Sequence, residues 1–428
     1  MASSSSMDLE QTPQVQENVA EGTEKVEVEN EIRSTEKKKK KKGRSYFPRP
    51  KLMCFRVQHD VTGEGFDMDV VDASGQRPNP PTHLIIMVNG LIGSAHDWKF
   101  AAKQFLARYP NDTVVHCSER NTSILTLDGV DVLGERLAEE VIQVIKRHPS
   151  VQKISFVGHS LGGLIARYAI AKLYGRDISK ELSQGNGHSE SEISSDQECH
   201  AHDRKYEGKI AGLEPINYIS SASPHLGSRG HRQVPMFCGF RFLEKTAYCA
   251  SWFLGKTGKH LFLADCKKGK SPLLLQMARD TEDIKFLSAL RSFKHRVAYA
   301  NVRYDQLVGW STSSLRRRNE LPKCFVQRRH LSRHEDYPHI VNVEPAKPIS
   351  VPVEVPTEPE VNSGSSKIDW EEEMIRGLTS MSWDRVDVSF RGIKQSCLAH
   401  TTIQVNTYNC MNSDGADVVQ HMVDTFQL

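Results

Sequence analysis

Lys153-Ile154-Ser155-Phe156-Val157-Gly158-His159-Ser160-Leu161-Gly162-Gly163 is the stretch from which the fold can be read. Ile154, Phe156 and Val157 make a short apolar run of strand-forming residues. Leu164 to Tyr174 then places apolar residues at helical spacing. Between them, Gly158-His159-Ser160-Leu161-Gly162 fits G-x-S-x-G. Flanked by a strand and a helix, that pattern predicts a sharp turn that lifts the Ser160 hydroxyl clear of a sheet. Gly158 and Gly162 suit positions where another backbone passes too close for a Cβ. The following helix directs its positive end at Ser160, where negative charge would develop during acyl transfer.

Upstream of this turn the pattern repeats. Phe55-Arg56-Val57 and Met68-Asp69-Val70-Val71 read as two early strands. Leu84 to Val88 is a continuous apolar run, as expected for a strand buried on both faces, and it ends in the turn Asn89-Gly90-Leu91. Trp98 to Tyr109 predicts an amphipathic helix, Thr113 to Cys117 a buried strand, and Leu133 to Arg147 a second helix. Downstream, Ile216 to Ser220, Arg296 to Val302 and Arg385 to Phe390 predict further strands, and a final helix begins at Asp414-Gly415. Strand alternating with helix argues for an α/β fold with a mostly parallel sheet and helices on both faces.

Composition limits the function classes. The 428 residues carry a net charge of +3, which is no global basic field, so no nucleic-acid partner is expected. A hydrophobic content of 38% supports one sizeable core with polar extensions. Nine cysteines without a C-x-x-C pair, and a start that lacks a signal-peptide pattern, predict reduced thiols in an intracellular protein, cytoplasmic or peripheral to a membrane. The sequence has no uncharged apolar run of 18 residues, so no transmembrane helix is expected.

Residues 1–50 are expected to be a disordered extension. They contain the basic cluster Lys37 to Lys42, for which a solvated charge run, attraction to anionic membrane lipids and nuclear import compete. Residues 51–428 are expected to form the folded domain, with polar insertions at about 176–209 and 311–381. His188, Cys199, His200 and His202 in the first insertion lack zinc-site spacing, so no metal is expected there. A span at about 228–280 is expected to be a cap. Its residues 234–263 are unusually apolar, and Phe240, Trp252, Phe253 and Leu254 read either as ordinary core or as a wall for a substrate acyl chain.

A serine hydroxyl is a weak nucleophile at neutral pH and needs a histidine base, which in turn needs a carboxylate. After a G-x-S-x-G turn the partners follow in the order Ser, acid, His. Asp305 follows the strand at 296–302, and His400 follows the last strand, so Ser160, Asp305 and His400 fit that order. His421 is the rival base, but it lies inside the final helix beside residues that must face the core. The amides of Leu91 and Leu161 are expected to hold the oxyanion, and no metal or organic cofactor is needed.

The sequence resembles the serine esterases of the lipase-like α/β-hydrolase superfamily, in the form common in plants. The resemblance rests on Asn89-Gly90-Leu91 with Ser94 and Asp97-Trp98, on Asp128-Gly129 and Gly134, and on Gly158 to Gly163. It extends to Ser223-Pro224-His225-Leu226-Gly227, Thr257-Gly258-Lys259-His260-Leu261-Phe262, Tyr299-Ala300-Asn301 with Asp305, and Ala399-His400 before Ile403 and Val405. Many relatives carry His-Gly where this chain has Asn89-Gly90. The resemblance implies an α/β-hydrolase fold and hydrolysis of acyl esters, lipids foremost. Acyl transfer by the same three residues, and a catalytically inactive module that binds a lipid or protein, are the alternatives.

Overall fold

The computed structural model describes residues 54–59, 65–72, 74–77, 79–178, 207–229, 254–266, 270–321, 335–347, 369–406 and 412–428. The expected N-terminal extension with Lys37 to Lys42, the His188–His202 cluster, and Phe240, Trp252 and Phe253 lie outside these residues.

The strands are β1 (Cys54–His59), β2 (Gly65–Val71), β3 (His83–Val88), β4 (Thr113–Ser118), β5 (Lys153–His159), β6 (Glu214–Ser221), β7 (His295–Asn301), β8 (Ile340–Glu344) and β9 (Asp384–Val388). They form one sheet in the order β1-β2-β4-β3-β5-β6-β7-β9-β8. The run from β4 to β9 is parallel, and antiparallel pairings join β1, β2 and β8 at its two edges. This is the α/β-hydrolase arrangement.

Both faces of the sheet are covered. Along β3 the side chains alternate: Leu84, Ile86 and Val88 join one core, Ile85 and Met87 the other. The first core takes the apolar faces of helices α2 (Val130–Arg147) and α3 (Leu161–Leu173), and the second those of α1 (Lys99–Arg108) and the C-terminal helix α10 (Ala416–Asp424). A strand flanked by helices on both sides has no polar face, which is why the runs here are continuously apolar.

Two expectations need correction. The span 311–381 is not simply a polar insertion: it contains most of α7 (Trp310–Ser314), the edge strand β8 and helix α8 (Trp370–Leu378). Asp369 caps α8 by accepting from the amides of Glu371 and Glu372, and Met374, Ile375 and Leu378 are buried in the core. The later part of the expected cap is also core. Helices α4 (Gly255–Leu261) and α5 (Leu273–Gln276) fall there, and Leu261, Phe262, Leu263, Leu274, Leu275, Met277 and Ala278 are buried in the same core as residues of α3 and α6 (Phe286–Arg291).

The close approach expected at the G-x-S-x-G glycines is present. A Cβ on Gly162 would lie 2.2 Å from the carbonyl oxygen of Val88, and one on Gly158 would lie 2.7 Å from the carbonyl carbon of Gly162. The start of α3 is thereby pressed onto the end of β3.

A buried ionic cluster ties β2, β4 and α2 together. His116 Nδ1 lies 2.6 Å from Asp67 Oδ1 and its Nε2 lies 2.9 Å from Glu140 Oε1. Arg147 and His148 also contact Asp67, and Ser118 donates to Glu140. Burial alone would lower the His116 pKa, but the two carboxylates outweigh it and raise it from 6.5 to about 9. Burial would raise the Asp67 carboxyl, yet its bonds to His116 and His148 hold it well below the usual range.

A raised histidine pKa contributes stability that is fully present below pH 6.5 and is lost as pH rises through about 9. The thermal midpoint should therefore fall between those values. In His116→Leu that slope should disappear and stability should drop by about 3–5 kcal/mol, because Asp67 and Glu140 lose the cation they share and keep only their contacts to Arg147, His148 and Ser118. An equal slope in wild type and variant would contradict the assignment.

Candidate active site

The carboxyl ends of the parallel strands converge on one edge. From β3 the chain proceeds to β4 on one side of it, whereas β5 lies on its other side. A crevice opens at such a reversal, outside the strand ends. Ser160 directly follows β5 there. Its backbone has φ 53° and ψ −124°, a conformation that L-residues other than glycine rarely adopt. The Ser160 amide donates to the Ser221 carbonyl at 2.8 Å, so the end of β6 pins the strained residue.

Ser160 Oγ lies 3.0 Å from His400 Nε2, and His400 Nδ1 lies 2.9 Å from Asp305 Oδ2. All three residues are buried. His400 stands in the short helix α9 (Ala399–Thr402), which follows β9, and Asp305 stands just beyond β7. Burial would raise the Asp305 carboxyl, but the charge and hydrogen bond of His400, then Asn301 and the Val308 amide, hold it below its ordinary value. Asn301 Nδ2 donates to Asp305 Oδ2 at 3.0 Å and to the Ala399 carbonyl at 3.1 Å. The Leu307 and Val308 amides donate to the other oxygen, Oδ1, at 3.0 and 2.8 Å. The carboxylate is thus fully oriented, and its Oδ2 fixes Nδ1–H on His400, leaving the Nε2 lone pair toward Ser160.

The rival histidine is occupied elsewhere. His421 Nδ1 lies 2.8 Å from the Tyr299 hydroxyl, and its ring packs edge-on against Tyr337. Its helical position directs it into the core beside Met422 and Val423.

Leu161 opens α3, so its amide has no acceptor within the helix. Leu91 follows Gly90, where a Cβ would come within 2.9 Å of the Ser160 Cβ. Both amides therefore belong to the immediate surroundings of the Ser160 side chain. Of the expected substrate wall, Leu254 is described; it is half-buried and packs against the first core. Among the described residues, no group of three His, Cys, Asp or Glu side chains could hold a metal ion.

One residue at the site was not singled out from the sequence. His159 Nε2 lies 2.7 Å from the His400 carbonyl oxygen, an acceptor, so His159 must be the donor. Burial, with the nearby His400, lowers its pKa to about 3 and keeps it neutral. The signal was present in Gly158-His159-Ser160, but nothing in spacing alone identified the carbonyl it would meet.

Residues 78–315 match the family described as "Putative serine esterase (DUF676)". The chain is 30% identical over 244 residues to "Putative lipase ROG1" of Saccharomyces cerevisiae, covering 56% of this chain and 29% of that protein. It is 23% identical over 243 residues to "Putative lipase C4A8.10" of Schizosaccharomyces pombe, covering 55% and 26%. The chain therefore spans under a third of the length of these curated relatives. Among solved structures, carboxyl esterase 2 of Tuber melanosporum aligns at 11% identity with a TM-score of 0.33, over 60% of this chain and 69% of that one. Lipase BlEst2 of Bacillus licheniformis, in its propeptide form, aligns at 14% identity with a TM-score of 0.29, over 53% and 36%. The family match runs over more than half of the sequence and includes Ser160 and Asp305, and the chain belongs to the family described as "Putative serine esterase (DUF676)".

Proposed function

We propose that this chain hydrolyses carboxylic esters, with lipid acyl esters as the substrate class, using Ser160 as nucleophile, His400 as base and Asp305 as the orienting acid. The observation that carries this reading is the continuous hydrogen-bonded line from Ser160 Oγ through His400 to Asp305, at 3.0 and 2.9 Å. Those distances lie within the reach that proton transfer requires.

The chemistry proceeds in two halves. Ser160 Oγ attacks the acyl carbonyl as its proton passes to His400 Nε2. The carbonyl oxygen takes up the negative charge, which the amides of Leu91 and Leu161 stabilise. When the tetrahedral species collapses, the carbon–oxygen bond to the leaving alcohol breaks and His400 returns the proton to that alcohol. Water then attacks the acyl–Ser160 ester with His400 again as base, releasing the acid. Asp305 stays ionised and stabilises the imidazolium of His400 in both halves.

Two finer parts of the proposal rest on sequence. Phe240, Trp252 and Phe253, with Leu254 at their border, supply an apolar wall for the acyl chain. Lys37 to Lys42 attract an anionic membrane surface; no helix among the described residues is long and apolar enough to cross one. Deleting 37–42 should abolish salt-sensitive binding to anionic vesicles, and undiminished binding would remove that part.

Ser160→Ala and His400→Ala should each lower ester turnover by about 10⁴-fold. The double variant should be little worse than either, because the residues act as one unit. His421→Ala should keep most of its turnover and lose thermal stability, since its ring serves Tyr299. An inactive His421→Ala beside an active, equally folded His400→Ala would overturn the choice of base.

A further inference from the structure

Two motifs of the sequence, Asp128-Gly129 and Thr257 to Phe262, remain without a part in the chemistry. The structure brings them together. The Thr257 hydroxyl, at the base of α4, donates to the Thr126 carbonyl at 2.6 Å and accepts from the Gly129 amide at 2.9 Å. His260, one turn later, accepts at Nδ1 from the Val130 amide at 3.1 Å. A Cβ on Gly255 would lie 2.7 Å from the Leu127 carbonyl oxygen. The start of α4 is thus fastened to the short 3₁₀ segment Ser123–Leu127 and to the first turn of α2.

That 3₁₀ segment in turn holds the loop after β3. The fully buried Thr126 hydroxyl accepts from the Ile92 amide at 3.0 Å and donates to the Ser123 carbonyl at 2.6 Å. The Ser123 amide donates to the Gly93 carbonyl at 3.1 Å. Ile92 has φ 57°, a left-handed conformation that a β-branched residue adopts only when its surroundings enforce it. Ile92 is also 64% exposed, so its side chain contributes little packing to hold that conformation. The hydrogen bond to Thr126 is therefore a principal restraint on the residue next to Leu91.

We propose that Thr126 is a positioning residue for the oxyanion-binding loop, and that Thr257 extends this brace to α4. This deepens the reading of the chain as an ester hydrolase and rests on it for its catalytic consequence. Thr126 touches no reacting atom. By fixing the Ile92 amide it fixes the peptide that leads back to the Leu91 amide, and through Thr257 it makes the placement of that amide depend on how α4 is seated. An amide displaced from the developing oxyanion costs rate in the transition state and leaves ground-state binding nearly intact.

The test uses the full chain with Thr126→Val, Thr126→Ser and Thr257→Val. Valine keeps the shape and removes the acceptor; serine keeps the acceptor. Two readouts are taken: turnover of p-nitrophenyl butyrate, and amide hydrogen exchange over residues 89–94. Thr126→Val should lower kcat by about 10–100-fold with KM little changed, by analogy with loss or misplacement of one oxyanion donor. Thr126→Ser should recover most of it, and Thr257→Val should fall between. Exchange over residues 89–94 should accelerate in Thr126→Val and Thr257→Val but not in Thr126→Ser. Equal damage in Val and Ser, a loss confined to KM, or unchanged exchange in Thr126→Val would overturn the proposal. Accelerated exchange in a protein whose wild type turns over no ester would support the brace while refuting hydrolysis, so the two failures are separable.

Discussion

The structure depends on one steric constraint: helix α3 must start directly against the end of strand β3. Gly158 and Gly162 permit this, since a side chain at 162 would collide with the Val88 carbonyl. The contact forces Ser160 into a positive-φ turn, and the Ser221 carbonyl holds it there. Strain of this kind costs on the order of 1–3 kcal/mol and persists only where the surroundings over-determine it. Here the central parallel strands supply that support. The same packing brings Gly90, in the loop after β3, beside the Ser160 side chain, so one close approach sets both the hydroxyl and the loop that borders it.

Around that turn the supporting groups are side chains of residues that end neighbouring strands. Asn301, the last residue of β7, bonds both the Asp305 carboxylate and the Ala399 carbonyl, and so registers the acid to the helix that bears His400. His159, the last residue of β5, donates to the carbonyl of His400 itself. The short helix bearing His400 is therefore held by two residues that end strands of the sheet. This arrangement resists thermal displacement of His400 without adding a charged group near it, because buried His159 stays neutral.

What could be read from the sequence follows the same physics. The central strands were legible because a strand covered on both faces must be continuously apolar, as in Leu84 to Val88. Ser160, Asp305 and His400 were nameable because their order and their placement after strands are fixed by the fold. β8 was missed because an edge strand needs no such run; Ile340-Val341-Asn342-Val343-Glu344 is short and exposed toward its end. Helix α8 was hidden by polar neighbours, although Asp369 before Glu371 to Glu373 and the spacing of Trp370, Met374 and Leu378 carried its signal. Thr126 and His159 could not be recognised from spacing, because their partners lie far away in the chain and come together only through the sheet.

In the proposed reaction Ser160 carries the acyl group between the two halves. The most direct measurement is rapid acid quenching of the full chain during turnover of an activated ester, followed by mass spectrometry of the peptide containing Ser160. An acyl mass on Ser160, formed at least as fast as turnover, is the expected result. Turnover with the acyl group on another residue, or with no acylated enzyme when deacylation limits the rate, would contradict it.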